Sequence, residues 1–192
     1  MRIGVTGGIG SGKSYVCRRI AALGYPIYDC DREAKRLMTS DSSLVDSLKK
    51  LMGEDVVADG RLDKQLIADF LFRSEENAEK VNALVHPVVR ENFLDWANQQ
   101  YAKLVFVESA ILFQAQFDTV VDKVICVSAP LSLRKQRVIS RDACSSLDFE
   151  KRICQQMDAN EVEQRADYVL RNDGIQSVDE QLTKIIQNIL SC

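Results

Sequence analysis

The 192-residue sequence predicts an α/β fold in which a parallel sheet is flanked by helices on both faces. Short apolar segments alternate with helical segments along the chain, and this alternation is typical of parallel sheets. The segments 104–107 and 124–127 are continuously apolar, as expected for strands that are buried on both faces. Residues 32–101 read as almost continuous helix, which is too long for a simple crossover and predicts an inserted helical domain.

The first half of the chain predicts a strand at 2–6, a glycine-rich loop and a helix at 13–23 whose apolar residues share one face. A short strand at 26–28 then leads to an acidic pair. Further helices are expected at 31–39, 42–52, 63–73, 75–85 and 87–101, with a turn at Asp59-Gly60. Pro87 suits the first turn of the last of these helices, where its missing N–H group costs no hydrogen bond.

The second half returns to strands and ends in an amphipathic helix. Strands are expected at 104–107, 124–127 and 168–170, with a charged helical stretch at 131–165 before the last of them. The final helix carries a single apolar stripe, formed by Val178, Leu182, Ile185, Ile186, Ile189 and Leu190. This stripe is the clearest helical signal in the sequence.

Composition and charge argue against several classes of protein. Hydrophobic residues make up 46% and charged residues 28%, as in globular rather than disordered or fibrous chains. No transmembrane helix and no signal peptide are expected. The net charge of −3 argues against general binding to nucleic acids or anionic membranes. The six cysteines include no C-x-x-C pair, which predicts reduced thiols in a cytoplasmic protein. The single histidine cannot form a histidine-based metal cluster.

Four of the nine glycines occur within six positions, in the string Gly7-Gly8-Ile9-Gly10-Ser11-Gly12-Lys13-Ser14. This string matches the phosphate-binding pattern G-x-x-x-x-G-K-[ST], and a strand before it and a helix after it are the expected context. Glycines let backbone N–H groups turn toward phosphate, Lys13 supplies charge to the β- and γ-phosphates, and the Ser14 hydroxyl supplies a ligand for Mg²⁺. The predicted nucleotide-binding residues are Gly8, Ile9, Gly10, Ser11, Gly12, Lys13, Ser14 and Tyr15.

The class of nucleotide-dependent protein follows from the motifs that accompany the loop. The guanine-binding pattern N-K-x-D and the switch pattern D-x-x-G do not occur in the sequence, which argues against a GTPase. Mechanical ATPases are usually larger or oligomeric. A P-loop kinase-type sheet and a small-molecule kinase are therefore expected, and a nucleotide-dependent regulator without catalysis is the alternative.

Three acidic residues follow strands at the edge where open parallel sheets bind ligands. Asp29 and Asp31 come after the second strand, and one of these carboxylates could accept the proton of an attacking hydroxyl. The alternative is that Asp31 only caps the following helix. Glu108 ends the third strand, where an acidic side chain commonly binds Mg²⁺ through water in P-loop proteins, unless it marks an ordinary exposed strand end.

The stretch 134–141 is the most cationic of the chain, with Arg137 and Arg141 one turn apart on the same helix face. Such charge runs are usually solvated surface. In a P-loop kinase, however, this position precedes a mobile lid, and an arginine there can stabilise charge on the phosphoryl group during transfer. At least one of the two arginines is therefore predicted to act in catalysis.

Taken together, these motifs resemble the dephospho-coenzyme A kinase family over essentially the whole chain. The family's motifs occur here, in its order, as the phosphate loop, Asp29-Cys30-Asp31, Leu84-Val85-His86-Pro87, the cationic stretch with Gln136 and Gln156, and the segment 166–174. The sequence departs from the family pattern at Tyr15, at Cys30, and at 110–114, where A-I-L-F-Q replaces P-L-L-F-E.

The resemblance implies transfer of the γ-phosphoryl group of ATP, with Mg²⁺, to the ribose 3′-hydroxyl of dephospho-CoA, the last step of CoA synthesis. It implies a P-loop core at 1–31, 102–137 and 166–192, a helical substrate domain at 32–101 and a lid at 138–165. A kinase for another small acceptor, such as a nucleoside monophosphate, is the alternative. The chain is expected to be a monomer or weak oligomer, with neither nucleic acid nor membrane as a partner.

The resemblance also implies the roles of individual residues. The catalytic set is Lys13, Asp31, Arg137 and Arg141. Asp29 and His86 would join Asp31 at the acceptor, and Asn172 would lie by the adenine of ATP. Ser14 and Glu108 would serve the metal.

Overall fold

The computed structural model describes residues 1–53, 56–58 and 61–191, and the predicted α/β class is confirmed. The elements in chain order are β1 (Arg2–Thr6), α1 (Lys13–Ala22), β2 (Ile27–Asp29), α2 (Cys30–Ser40), α3 (Ser42–Met52), β3 (Val57–Ala58), β4 (Arg61–Leu62), α4 (Lys64–Arg73), α5 (Glu75–Asn98), β5 (Val105–Glu108), a 3₁₀ turn (Phe117–Thr119), β6 (Lys123–Ser128), α6 (Leu131–Asp142), α7 (Ser146–Cys154), α8 (Ala159–Arg165), β7 (Tyr168–Arg171) and α9 (Val178–Leu190). Contacts divide them into two units, residues 1–28 with those from 100 onward, and residues 29–99.

A five-stranded sheet forms the centre of the first unit, in the order β2-β5-β1-β6-β7. β1 pairs in parallel with both β5 and β6, so that Gly4 lies opposite Val107 and Val124. β6 pairs in parallel with β7. Because these strands are parallel, Thr6, Glu108 and Ser128 end neighbouring strands at the same edge of the sheet.

The core of the first unit lies between the sheet and the helices α1 and α9. Val16 and Ile20 of α1 are fully buried in it, which confirms the apolar face predicted for this helix. The predicted stripe on α9 is also buried, except that Leu190 is 49% exposed because the helix ends at that residue. The core strands are inaccessible on both faces, as their continuous apolar runs predict.

The described residues of the second unit include four helices, α2 to α5, of which α5 contacts the other three. The separate helices expected at 75–85 and 87–101 form one helix, and Pro87 lies inside it. Proline removes one backbone hydrogen bond, but Val81, Val85, Val89 and Phe93 are buried along one face on both sides of it. This burial stabilises the continuous helix despite the proline, so the predicted break at Pro87 is wrong.

One further segment differs from the expected pattern, and the stretch at 131–165 agrees with it. The strands β3 and β4 form a small antiparallel pair where no strands are expected from the sequence, and the predicted turn at Asp59-Gly60 lies outside the described residues. The charged stretch at 131–165 is helical as expected and contains three helices, and Ser145 begins the second of them with a capping box completed by Asp148. Among the described helices, none is long and apolar enough to cross a membrane.

Candidate active site

The phosphate loop connects the end of β1 to the first turn of α1. Gly7, Gly10 and Gly12 have φ angles of 141°, 79° and 97°, which residues with a Cβ rarely adopt, so the loop depends on glycine at these positions. Lys13 Nζ donates a hydrogen bond to the Gly7 carbonyl at 2.7 Å, which folds this side chain over the loop. A lysine and the first N–H groups of a helix are thus brought together, as phosphate binding requires.

Ser14 and Glu108, the two residues predicted to serve a metal ion, lie in contact. The Ser14 hydroxyl donates a hydrogen bond to Glu108 Oε1 at 2.7 Å, which joins the first turn of α1 to the end of β5. Both side chains retain access to solvent. A hydroxyl and a carboxylate in this arrangement are oxygen donors of the kind that Mg²⁺ prefers.

Arg137 and Asn172 hold the phosphate loop from the side of α6 and β7. Arg137 Nη1 donates to the Ser11 carbonyl at 3.3 Å, and Nη2 donates to the Asn172 carbonyl at 3.1 Å. The buried Asn172 amide donates to the same Ser11 carbonyl at 2.8 Å. A Cβ on Gly12 would lie 2.1 Å from that amide nitrogen, so glycine is required there for a second reason.

Arg134 and Gln156 also contact the loop, and neither is among the site residues predicted from the sequence. Arg134 is only 7% exposed, and its Nε donates to the Ile9 carbonyl at 2.9 Å. The Ile9 N–H group donates to Gln156 Oε1 at 2.8 Å. Arg134 and Arg137 are three residues apart on one helix, which places them on the same face, but this spacing alone does not indicate which arginine contacts the loop.

Arg141, the other arginine predicted to act in catalysis, is exposed and does not contact the loop. Its Nε and Nη2 donate to the two carboxylate oxygens of Asp142 at 2.7 and 3.0 Å. Arg152 of α7 donates to the same carboxylate, and these two arginines hold the pKa of Asp142 well below its usual range. In this arrangement the charge of Arg141 is paired within the predicted lid.

A cavity of about 620 Å³ lies beside the loop, within the first unit. Its lining includes Gly8 and Arg134 near the loop, Cys126 of β6, and Asn160 and Glu163 of α8. This volume falls in the usual range for small-molecule sites. Burial, and then the nearby Glu163 carboxylate, raise the pKa of Cys126 to about 12, so the thiol stays protonated and is not a nucleophile.

The predicted acceptor residues belong to the second unit. Asp29, not Asp31, caps α2, because its side chain accepts the Arg32 N–H group at 3.1 Å. The alternative that Asp31 only caps this helix is therefore wrong, and its carboxylate is exposed in the first turn. His86 is half-buried in α5, where burial, and then the charge of Arg90, lower the pKa of its imidazole.

Comparison with known proteins assigns the family. The dephospho-CoA kinase family model matches residues 1–177. A dephospho-CoA kinase of Bacteroides fragilis is 38% identical over 187 residues, covering 97% of this chain and 91% of the relative. A crystal structure from Thermus thermophilus, 34% identical, superposes with a TM-score of 0.82 and covers 100% of this chain and 96% of its own. A shikimate kinase of Acinetobacter baumannii, 20% identical with a TM-score of 0.58 and coverage of 99% and 93%, shares the fold alone. The chain belongs to the dephospho-CoA kinase family.

Proposed function

We propose that this chain is an ATP-dependent kinase that phosphorylates the ribose 3′-hydroxyl of dephospho-CoA, giving CoA and ADP. The observation that carries the proposal is the phosphate loop with Lys13 folded over it and the Ser14–Glu108 contact beside it, in a chain of this family. Lys13 and Ser14 follow β1, and Glu108 ends the neighbouring strand β5 of the same sheet. This arrangement suits phosphoryl transfer, in which positioning and charge neutralisation do most of the work.

The nucleotide is assigned to the first unit. Residues 8–15 surround its phosphates, with Lys13 moving from the Gly7 carbonyl to the phosphate oxygens when ATP binds. Arg137 and Asn172 keep the loop in shape through the Ser11 carbonyl and lie on the side where the adenine is proposed to bind. Arg141 would need to leave Asp142 in order to contact a phosphate.

The acceptor is assigned to Asp31, Asp29 and His86 of the second unit. Asp31 is proposed to accept the proton of the attacking hydroxyl, and its exposed carboxylate is free of the capping contact that occupies Asp29. Asp29 fixes the start of α2 and so the position of Asp31. His86, neutral because its pKa is lowered, can donate or accept a hydrogen bond from the acceptor.

Mg²⁺ fits the residues at the end of β5. The described part of the chain contains no group of three or more histidine, cysteine or acidic residues that could hold a metal ion. Mg²⁺ in nucleotide sites, however, usually takes only one or two protein ligands and completes its shell with phosphate oxygens and water. Ser14 and Glu108 would hold it, and the ion would neutralise charge on the phosphates.

The experiment that tests the function measures ADP release from ATP and Mg²⁺ with dephospho-CoA, AMP or adenosine as acceptor. We expect strong stimulation by dephospho-CoA, and conversion of it to CoA. Stimulation by AMP in place of dephospho-CoA would overturn the acceptor and favour a nucleoside monophosphate kinase. If none of the three acceptors stimulates ADP release, the alternative of a nucleotide-dependent regulator without kinase activity would be favoured.

Lys13→Ala is the control for this measurement. The variant loses the charge that meets the phosphates, and we expect activity to fall by about a hundredfold or more. Lys13 Nζ donates to the carbonyls of Gly7 and Gly8, so thermal unfolding of the variant is measured alongside to show that it is folded. An active Lys13→Ala protein would show that the measured kinase is a contaminant or that the loop does not bind ATP.

A further inference from the structure

Arg134 is a buried cation whose described contacts include no carboxylate. It lies on α6 with 7% of its surface exposed, and its Nε donates to the Ile9 carbonyl. The ion pairs formed among the described residues do not include Arg134. A buried charge without a counter-ion is costly, and an anion bound nearby would remove that cost.

The guanidinium lies directly against Gly8 of the phosphate loop. A Cβ built on Gly8 would lie 2.1 Å from Arg134 Nη2, 2.5 Å from Cζ and 3.0 Å from Nη1, and these three atoms are its nearest neighbours. Gly8 is not among the glycines of positive φ. Its backbone would therefore accept alanine, and the Arg134 side chain is what excludes one.

We propose that Arg134 is a phosphate-loop positioning residue. Its buried positive charge beside Gly8 and Ile9 strengthens the binding of the nucleoside triphosphate. This inference rests on the proposed function, since it takes ATP as the ligand of the loop. Three observations support it: the guanidinium holds a loop carbonyl, it is pressed against the loop backbone, and it lines the cavity that Gly7, Gly8 and Ser11 also line. Arginine is not deprotonated in proteins, so the charge persists although burial lowers its pKa.

The first test measures ATP affinity by calorimetry without acceptor. Arg134→Gln keeps a hydrogen-bond donor and removes the charge, and we expect it to weaken ATP binding roughly tenfold or more, because hydrogen bonds to charged groups contribute more than neutral ones. Arg134→Lys keeps the charge and should lose less ATP affinity than Arg134→Gln. Lys135→Gln, on the same helix and paired with Glu150, removes the same charge away from the loop and should bind ATP as the parent does.

The second test uses Gly8→Ala to displace the guanidinium without deleting it. In the parent chain the new methyl group must push Arg134 away from the loop, and ATP binding should weaken. In the Arg134→Ala background the three atoms nearest to the new methyl group are absent, and its effect should be smaller by roughly tenfold, the coupling expected of residues in contact. If Arg134→Gln does not fold, Gly8→Ala in the parent chain still tests the proposal, because it leaves Arg134 in the sequence, and unchanged ATP affinity in that folded variant would overturn the proposal.

The proposal fails if folded Arg134→Gln binds ATP as tightly as the parent, or if Gly8→Ala has the same effect in both backgrounds. Assays of acceptor phosphorylation on the same proteins separate this failure from that of the proposed function. A parent chain that phosphorylates dephospho-CoA, with ATP affinity independent of Arg134, overturns only the role of Arg134. ATP affinity that depends on Arg134, in a chain that does not phosphorylate dephospho-CoA, overturns only the acceptor.

Discussion

The Ser14 hydroxyl donates a hydrogen bond to Glu108 Oε1 at 2.7 Å, although 94 residues separate the two in sequence. The contact is possible because β1 and β5 are adjacent parallel strands, so that the helix after one strand begins beside the end of the other. The contact holds a hydroxyl and a carboxylate oxygen together at the sheet edge. Such preorganisation would favour one position for the Mg²⁺ ion that we propose binds here.

Glu108→Gln should raise the Mg²⁺ concentration needed for half-maximal activity by roughly 10- to 100-fold, the range seen when groups that support a metal ion are changed. Glutamine still accepts the Ser14 hydrogen bond but lacks the negative charge that attracts the ion. The measurement is ADP release at saturating ATP over a series of Mg²⁺ concentrations. Glu150→Gln, which removes a charge from exposed α7, is the matched control. An unchanged Mg²⁺ dependence in Glu108→Gln would remove Glu108 from the metal site.

Asp31 and Asp29 should respond differently to the same substitution. Asp31→Asn removes the proposed proton acceptor, so kcat should fall by about 10²- to 10⁴-fold with little change in the KM for ATP. Asp29→Asn should keep most activity and stability, because asparagine caps a helix about as well as aspartate. Steady-state kinetics and thermal unfolding of both variants check this. If Asp31→Asn turns over at nearly the parent rate, another group accepts the proton.

The sequence predicts most of the first unit, because its signals are local. The strands β5 and β6 are buried on both faces and therefore appear as continuous apolar runs. The phosphate loop is defined by glycines that its backbone angles require. Local patterns of this kind need no knowledge of which strands are neighbours.

Long-range contacts are what the sequence does not reveal. Arg134 looks like one more charge on a cationic helix, and only the fold shows that α6 buries it against Gly8. Similarly, Pro87 indicates a helix start, but tertiary packing along α5 continues the helix through it. In both cases burial by distant parts of the chain decides the outcome, and local propensity does not record it.

Asn172→Ala should destabilise the protein by about 1–3 kcal/mol, the usual cost of removing one partner from a buried hydrogen bond. The amide donates to the Ser11 carbonyl at 2.8 Å and lies against Gly12, so its loss also leaves space beside the loop. Urea unfolding with and without ATP measures the effect. Asn188→Ala on α9 provides a comparison away from the loop. Equal stability of Asn172→Ala and the parent would show that this bond does not hold the loop.

His86 should make the protein less stable as the pH falls below about 6.5, the pKa of histidine in an unfolded chain. Burial, and then Arg90, lower the pKa of His86 in the folded state, so between the two pKa values the unfolded chain binds more protons. The stabilisation is fully present above the pKa of the unfolded chain and is lost as the pH falls toward the pKa of the folded protein.

Urea unfolding from about pH 5 to pH 7 should therefore give a shallower pH dependence of the unfolding free energy for His86→Gln than for the parent. Because His86 is the single histidine of the chain, its imidazole resonances report the folded pKa directly. Arg90→Gln should raise that pKa without restoring it to 6.5, since burial is the larger cause, and a folded pKa at or above 6.5 in the parent would contradict this account.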